Sequence, residues 1–237
     1  LLDRMFNTPK DPQKVIQWIE NDYLFIDREQ EWFLDQPASH LYYKPADGTD
    51  PNDLLVTMPH LECLIQLEGH SVAHPVSRLT FHGLTLEEST FLRPSTDSYR
   101  VLRSHAFDES HENSGNNNYL LASAAIEGKF VTEVDIHRCV FRRHGSNGIV
   151  LHQGSQSLRI QGCAFTDMGG GAIQFGEPGE EDRNNVNPFD PRYLVKNIHV
   201  LDNYIHGVGE LYRSANGIFA GFVVDCLIAR NEVHDTP

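Results

Sequence analysis

Short stretches in which apolar and polar residues alternate recur along this chain, and five of them align with one another. Residues 79–86 (LTFHGLTL), 134–141 (VDIHRCVF), 158–165 (LRIQGCAF), 198–205 (IHVLDNYI) and 226–233 (CLIARNEV) each place apolar side chains at the first, third and eighth positions. Alternation of this kind predicts a strand with one buried face. A second strand follows at a fixed interval. Phe141 leads to Gly148-Ile149-Val150-Leu151 and Phe165 to Ala172-Ile173-Gln174-Phe175, eight residues from Phe to Ile in both. A third copy, Gly217-Ile218-Phe219-Ala220, has its Ile thirteen residues after Ile205, so that turn carries a five-residue insertion. The uninterrupted repeat is 24 residues, from Phe141 to Phe165.

A repeat that cannot bury its apolar side alone gains a continuous core by stacking on its neighbours. The expected fold is therefore all-β: a right-handed parallel β-helix, a pectate-lyase-like solenoid, with equivalent positions about 4.8 Å apart. Its coils should occupy residues 76–237. The sixth position of the aligned segments reads Leu84, Cys139, Cys163, Asn203, Asn231. Asn203 over Asn231 predicts an asparagine ladder, each amide bonding the coil beside it. Cys139 over Cys163 predicts two reduced, buried thiols, because a disulfide needs Cβ atoms nearer than stacking gives, at about 3.8 Å; a disulfide is the alternative. Residues 1–75 follow a different pattern. Asp11-Pro12 ahead of Val15, Ile16, Trp18 and Ile19 predicts a small capped helix, and 31–35 (EWFLD) with 41–45 (LYYKP) predicts a loose hairpin across 36–40. Both are expected to form an accessory element leading into the solenoid. Asp235-Thr236-Pro237 opens a turn toward a further strand with no cap after it, so an internal fragment of a longer protein is expected.

Composition narrows the partners. The chain has 237 residues and is 40% apolar, enough for one core or an elongated array. No run approaches the roughly eighteen apolar residues of a membrane-spanning helix, so no membrane insertion is expected. A formal net charge of -14 argues against nucleic acid and anionic membrane surfaces, whose affinity comes from basic clusters. The four cysteines show no C-x-x-C spacing, which argues against a zinc ribbon or thioredoxin-type site.

Candidate chemistry lies in the insertions. The stretches 206–216 (HGVGELYRSAN) and 176–193 (GEPGEEDRNNVNPFDPRY) flank the Gly-Ile strand and should wall a groove floored by Glu127, Val150, Gln174 and Phe219. There Gln174 would bind substrate and Phe219 would stack on a sugar ring, or else be an aromatic covered by a loop. Two residues after each closing apolar position lies the column Arg143, Asp167, Gly207, Asp235. Arg143 beside Asp167 predicts an ion pair that keeps the carboxylate charged and near substrate. Asp167 and Asp235, two coils apart at about 9–10 Å, could serve as a paired acid and base, a spacing at the upper end of the roughly 6.5–9.5 Å that leaves room for a water between two carboxyls. Equally, an Asp in such a turn can act as a local backbone acceptor. His206 and His234 precede Gly207 and Asp235 in identical places. They could bond substrate hydroxyls, shuttle protons or, with an Asp, hold a metal; ladder packing is the commoner explanation, and no metal is expected. The run Glu177, Glu180, Glu181, Asp182 could contact substrate or bind calcium, or be a solvated acidic loop. No other cofactor is indicated.

The runs EWFLD, HLYYKP and VSRLTFHGLTL, with FTDMGGGAIQFG, NYIHGVGELYRSANGI and IARNEVHDTP, resemble the entry and successive coils of carbohydrate-active β-helix proteins, the glycoside hydrolase family 141-like group. The resemblance extends from about Tyr23 to the end of the chain. It implies an α-L-fucosidase or xylanase type of activity, a plant or microbial oligo- or polysaccharide as substrate, and a secreted, periplasmic or cell-surface location. In that pattern an Asp often stands at the place of Gly207; Glu210, in the inserted turn, could replace it as a catalytic carboxylate. The hydrolase reading competes with a polysaccharide lyase, which needs a Lys or Arg base such as Arg143, and with a non-catalytic glycan-binding or structural solenoid.

Overall fold

The computed structural model describes residues 22–46, 48–93, 106–108, 119–176 and 190–236. It divides into two compact units, Leu1–Met58 and Pro59–Pro237. The predicted helix near 11–19 lies outside the described residues. In the first unit Trp32–Asp35 pairs antiparallel with His40–Tyr43, Trp32 opposite Tyr43. This is the predicted hairpin. Tyr23 packs edge-on against Tyr42 at 4.8 Å between ring centres.

The second unit is built from three sheets in which every ladder is parallel. One contains Ile65–Glu68, Ala124–Lys129, Asn147–Leu151, Ile173–Phe175 and Ile218–Ala220. The next contains Val76–His82, Val131–His137, Gln156–Gln161 and Val195–Leu201, with both Val223–Val224 and Leu227–Ala229 on its last strand. The third contains Thr85–Glu87, Val140–His144, Ala164–Met168, Tyr204–Val208 and Glu232–His234. The apolar positions of the repeat fall in register: Leu79, Val134, Leu158 and Ile198 in one row, and Leu86, Phe141, Phe165 and Ile205 in another. Inward side chains of all three sheets share one apolar cluster. Phe141 and Phe165 stack inside it, ring centres 4.6 Å apart and 8° from coplanar, each burial contributing about 1.5–3 kcal/mol.

The expected right-handed parallel β-helix is corrected by this arrangement. The described strands belong to several separate sheets, nearly everything is β, and no single solenoid closes over them. An antiparallel pair, Ala106–Asp108 with Tyr119–Leu121, stands off the three stacks. The packing is sheet against sheet around a common interior, as in sandwich-like folds, with parallel rather than antiparallel ladders. Among the described residues the helical elements include short 3-10 turns such as Tyr23–Phe25 and Pro191–Tyr193.

The cause lies in the backbone. Each eight-residue segment expected as one strand is two strands in two sheets, divided by a residue in the left-handed region. Such residues recur at five-residue intervals: Arg78, Gly83 and Glu88; Glu133, Arg138 and Arg143; Ser157, Gly162 and Asp167; Asn197, Asp202 and Gly207; Asp225, Arg230 and Asp235, all with φ between 50° and 65°. For a side-chain-bearing residue this costs roughly 1–2 kcal/mol. Hydrogen bonds to the neighbouring repeat in the sheets offset it, as from Arg138 N to Gln161 O at 3.0 Å and from Asp202 N to Ala229 O at 3.2 Å.

The position-six column behaves as predicted. Asn203 Oδ1 accepts from Cys163 N at 2.9 Å while its Nδ2 donates to Ile160 O and to Asn231 Oδ1. Cys139 and Cys163 are buried free thiols, and burial pushes the Cys163 thiol up to about 11.

Candidate functional site

The column Arg143, Asp167, Gly207, Asp235 runs along the third parallel sheet, Asp235 directly after its last strand, as the ladder pairs require: Thr166 opposite His206, Met168 opposite Val208, and His206 opposite His234. All four residues are left-handed. That conformation suits Gly207 without strain. A Cβ built on Gly207 would meet Glu210 Oε1 at 3.4 Å and Asp167 Oδ1 at 3.9 Å. The two carboxylate oxygens are therefore no more than about 7 Å apart, close enough to flank one glycosidic bond. Glu210 thus reaches the space that a side chain at 207 would enter.

Glu210 is held there by its inserted turn. Gly209 N donates to Gly170 O at 2.8 Å, Glu210 N to Met168 O at 3.0 Å and Tyr212 N to Gly169 O at 2.9 Å. The turn is thereby sewn to the backbone just after Asp167. A hollow of ≈ 180 Å³ opens beside it, lined by Val208, Gly209, Glu210, Arg213, Asp235 and Thr236. Asp167, Glu210 and Asp235 are all exposed.

Asp235 is engaged by both histidines. Its Oδ2 lies 2.9 Å from His206 Nε2 and 3.1 Å from His234 Nδ1. The two imidazoles are 4.6 Å apart, inclined at 60°. The hydrogen bond from His234, with the nearby His206, holds the Asp235 carboxyl below its usual range. His234 Nε2 in turn faces Glu232 Oε1 at 3.5 Å.

Other expected contacts are absent. Arg143 does not pair with Asp167: it turns to the strand on its other side, where Nη2 meets Glu87 Oε2 at 2.7 Å and Glu88 Oε1 at 3.0 Å. Two carboxylates on that side outcompete one on the other. Half of the predicted groove floor is buried. Val150 is 0% and Gln174 3% exposed, and the Glu127 carboxylate accepts from Ala124 N at 3.0 Å. Gln174 Nε2 is buried without a partner among the described residues. Phe219 is half-buried on the last strand of that sheet. Glu177 and the acidic run 180–182 lie outside the described residues. Two side chains of the site escaped the sequence reading. Glu232 shares the outward face of His234 by two-residue alternation, a signal that was present; Arg213, in the inserted turn, carried none.

No family model matches the chain, and no curated protein matches it by sequence. A solved structure described as a glycoside hydrolase superposes with a TM-score of 0.77 at 24% identity, over 87% of this chain. At that identity the likeness establishes a shared fold. The chain spans 38% of the length of that structure.

Proposed function

We propose that this protein is carbohydrate-active, a glycoside hydrolase that cleaves a plant or microbial polysaccharide with the carboxylates of Asp167 and Glu210, next to Asp235. The observation that carries this reading is the convergence of Asp167 and Glu210 on the space over Gly207, beside a hollow that Glu210 shares with Asp235. Hydrolysis of a glycoside needs one carboxyl to protonate the leaving oxygen and another to activate water or attack the sugar carbon. Side chains from the sheet and from a turn sewn to it meet that requirement with little reorganisation. The hydrolase-like fold adds support. In the pattern this chain resembles, an Asp often stands where Gly207 does, and Glu210 fills that place from another backbone position. The lyase alternative is weaker, because Arg143, its basic candidate in the column, is bound by Glu87 and Glu88. Such an enzyme would act outside the cytosol, on substrate at or beyond the cell surface.

The test is release of reducing ends from a panel of plant and microbial polysaccharides. Asp167→Asn and Glu210→Gln should each lower turnover by roughly 10²–10⁴-fold, the usual contribution of a positioned acid or base, with unchanged circular dichroism. Near-normal turnover in both variants would sink the assignment. Retention of glycans by the parent protein without any product would favour a binding module.

A further inference from the structure

The outward face of the third sheet brings two histidines and two carboxylates together on adjacent strands. Tyr204 stands opposite Glu232, and His206 opposite His234. One donor atom from each of His206, His234 and Asp235 lies within 4.8 Å of the other two.

The hydrogen-bonding capacity of His234 does not close by itself. Its Nδ1 faces Asp235 Oδ2 at 3.1 Å, and its Nε2 faces Glu232 Oε1 at 3.5 Å. A neutral imidazole carries one N–H and one lone pair. With Nδ1–H donated to Asp235 Oδ2, the Nε2 lone pair is left facing Glu232 Oε1 across 3.5 Å, too far for a hydrogen bond. If Nε2–H turns to Glu232, Nδ1 and Asp235 Oδ2 confront each other as two acceptors. A cation between them removes the conflict. The same oxygen is approached by His206 Nε2 at 2.9 Å, so a third donor is already aimed at that point.

We propose that His206, His234 and Asp235 form a binding site for a divalent first-row transition cation of the zinc class. Two imidazole nitrogens and one carboxylate oxygen suit zinc and its neighbours, whereas calcium takes six to eight oxygens. Tetrahedral ligands at about 2.0–2.1 Å from a metal lie about 3.4 Å from one another. The observed 2.9 and 3.1 Å separations from Asp235 Oδ2 need to open by only a few tenths of an ångström, while the two histidine nitrogens, within 4.8 Å of each other, draw together through ring rotation. Three protein ligands leave one position for water or a substrate oxygen. Glu232 orients the His234 ring through its remote nitrogen, the arrangement that commonly backs a metal-bound histidine. The site shares Asp235 with the proposed hydrolytic hollow and is otherwise independent of it.

The experiment is a titration of Co(II), then Zn(II), into chelator-treated protein near neutral pH. One equivalent of Co(II) should bind with visible absorption bands of a low-coordinate nitrogen–oxygen site, and Zn(II) should displace it. His206→Ala and His234→Ala should abolish the bands. Asp235→Asn should do the same while preserving the fold, since Asn tolerates the left-handed turn. Glu232→Ala should weaken affinity by about 10- to 100-fold. Asp167→Asn should keep the cobalt signal even where it destroys hydrolysis, which separates failure of this site from failure of the hydrolase reading. Lack of uptake by the parent protein, or uptake unchanged in the His206→Ala/His234→Ala double variant, would overturn the proposal.

Discussion

His144 ties the stability of this fold to pH. The side chain is 2% exposed, beneath the third sheet. Its Nε2–H donates to Leu86 O at 3.1 Å, while Nδ1 accepts from the Ser89 hydroxyl at 2.8 Å and from Ser89 N at 3.3 Å. Both nitrogens are committed to a neutral ring, and a proton on Nδ1 would confront the Ser89 N–H. Burial is the main cause that lowers its pKa from 6.5 to about 4. A histidine depressed on folding binds its proton more readily in the unfolded chain. The folded state is therefore destabilised as pH falls below 6.5, and the loss is complete near 4. At about 1.36 kcal/mol per unit the full effect is about 3 kcal/mol, of which about 2 kcal/mol is lost between pH 7.5 and 5. The assay is urea unfolding of the parent and of His144→Gln at both values. Gln keeps a donor and an acceptor but does not titrate. The parent should lose about 2 kcal/mol more than the variant over that interval. Equal losses would refute the reasoning, because the remaining histidines are common to both proteins.

Asn203→Ala removes the acceptor of Cys163 N and a donor to Ile160 O in a 2%-exposed position; it should cost about 2–4 kcal/mol, read as a lower denaturation midpoint. Gly207→Asp should partly restore turnover to the Glu210→Gln variant, because its Cβ has ordinary clearance at 3.4 Å and Asp already adopts the same conformation at 167 and 235. The substitution should cost about 1 kcal/mol in stability, and a double variant as inactive as Glu210→Gln alone would remove Glu210 from the role of stand-in. The hydrolytic variants Asp167→Asn and Glu210→Gln, and the cobalt titration, test the two site readings separately.

The rows of apolar residues could be read from the chain because burial imposes them. Val134, Leu158 and Ile198 must recur at one phase if they are to stack, and they do. The asparagine ladder was legible for a related reason: an amide at that turn bonds the repeats on both sides of it at once. The bends were not legible. Left-handed backbone announces itself in sequence through glycine, yet the bends here are mostly Arg, Glu, Asp, Asn and Ser. Their strain is offset by bonds to neighbouring coils that no local pattern displays, so two strands in two sheets looked like one. The same limit governs the site. The column through Asp167, Gly207 and Asp235 follows from repeat phase alone, whereas the choice of partner for Arg143 depends on Glu87 and Glu88, more than fifty residues earlier in the chain. Position within a repeat fixes which residues are neighbours. Charge competition between strands decides which neighbours bond, and it releases Asp167 from Arg143 while binding Asp235 between two histidines. These two carboxylates, alike in sequence context and in backbone angle, therefore have different surroundings, and the proposed division of labour between hydrolysis and metal binding follows from that difference.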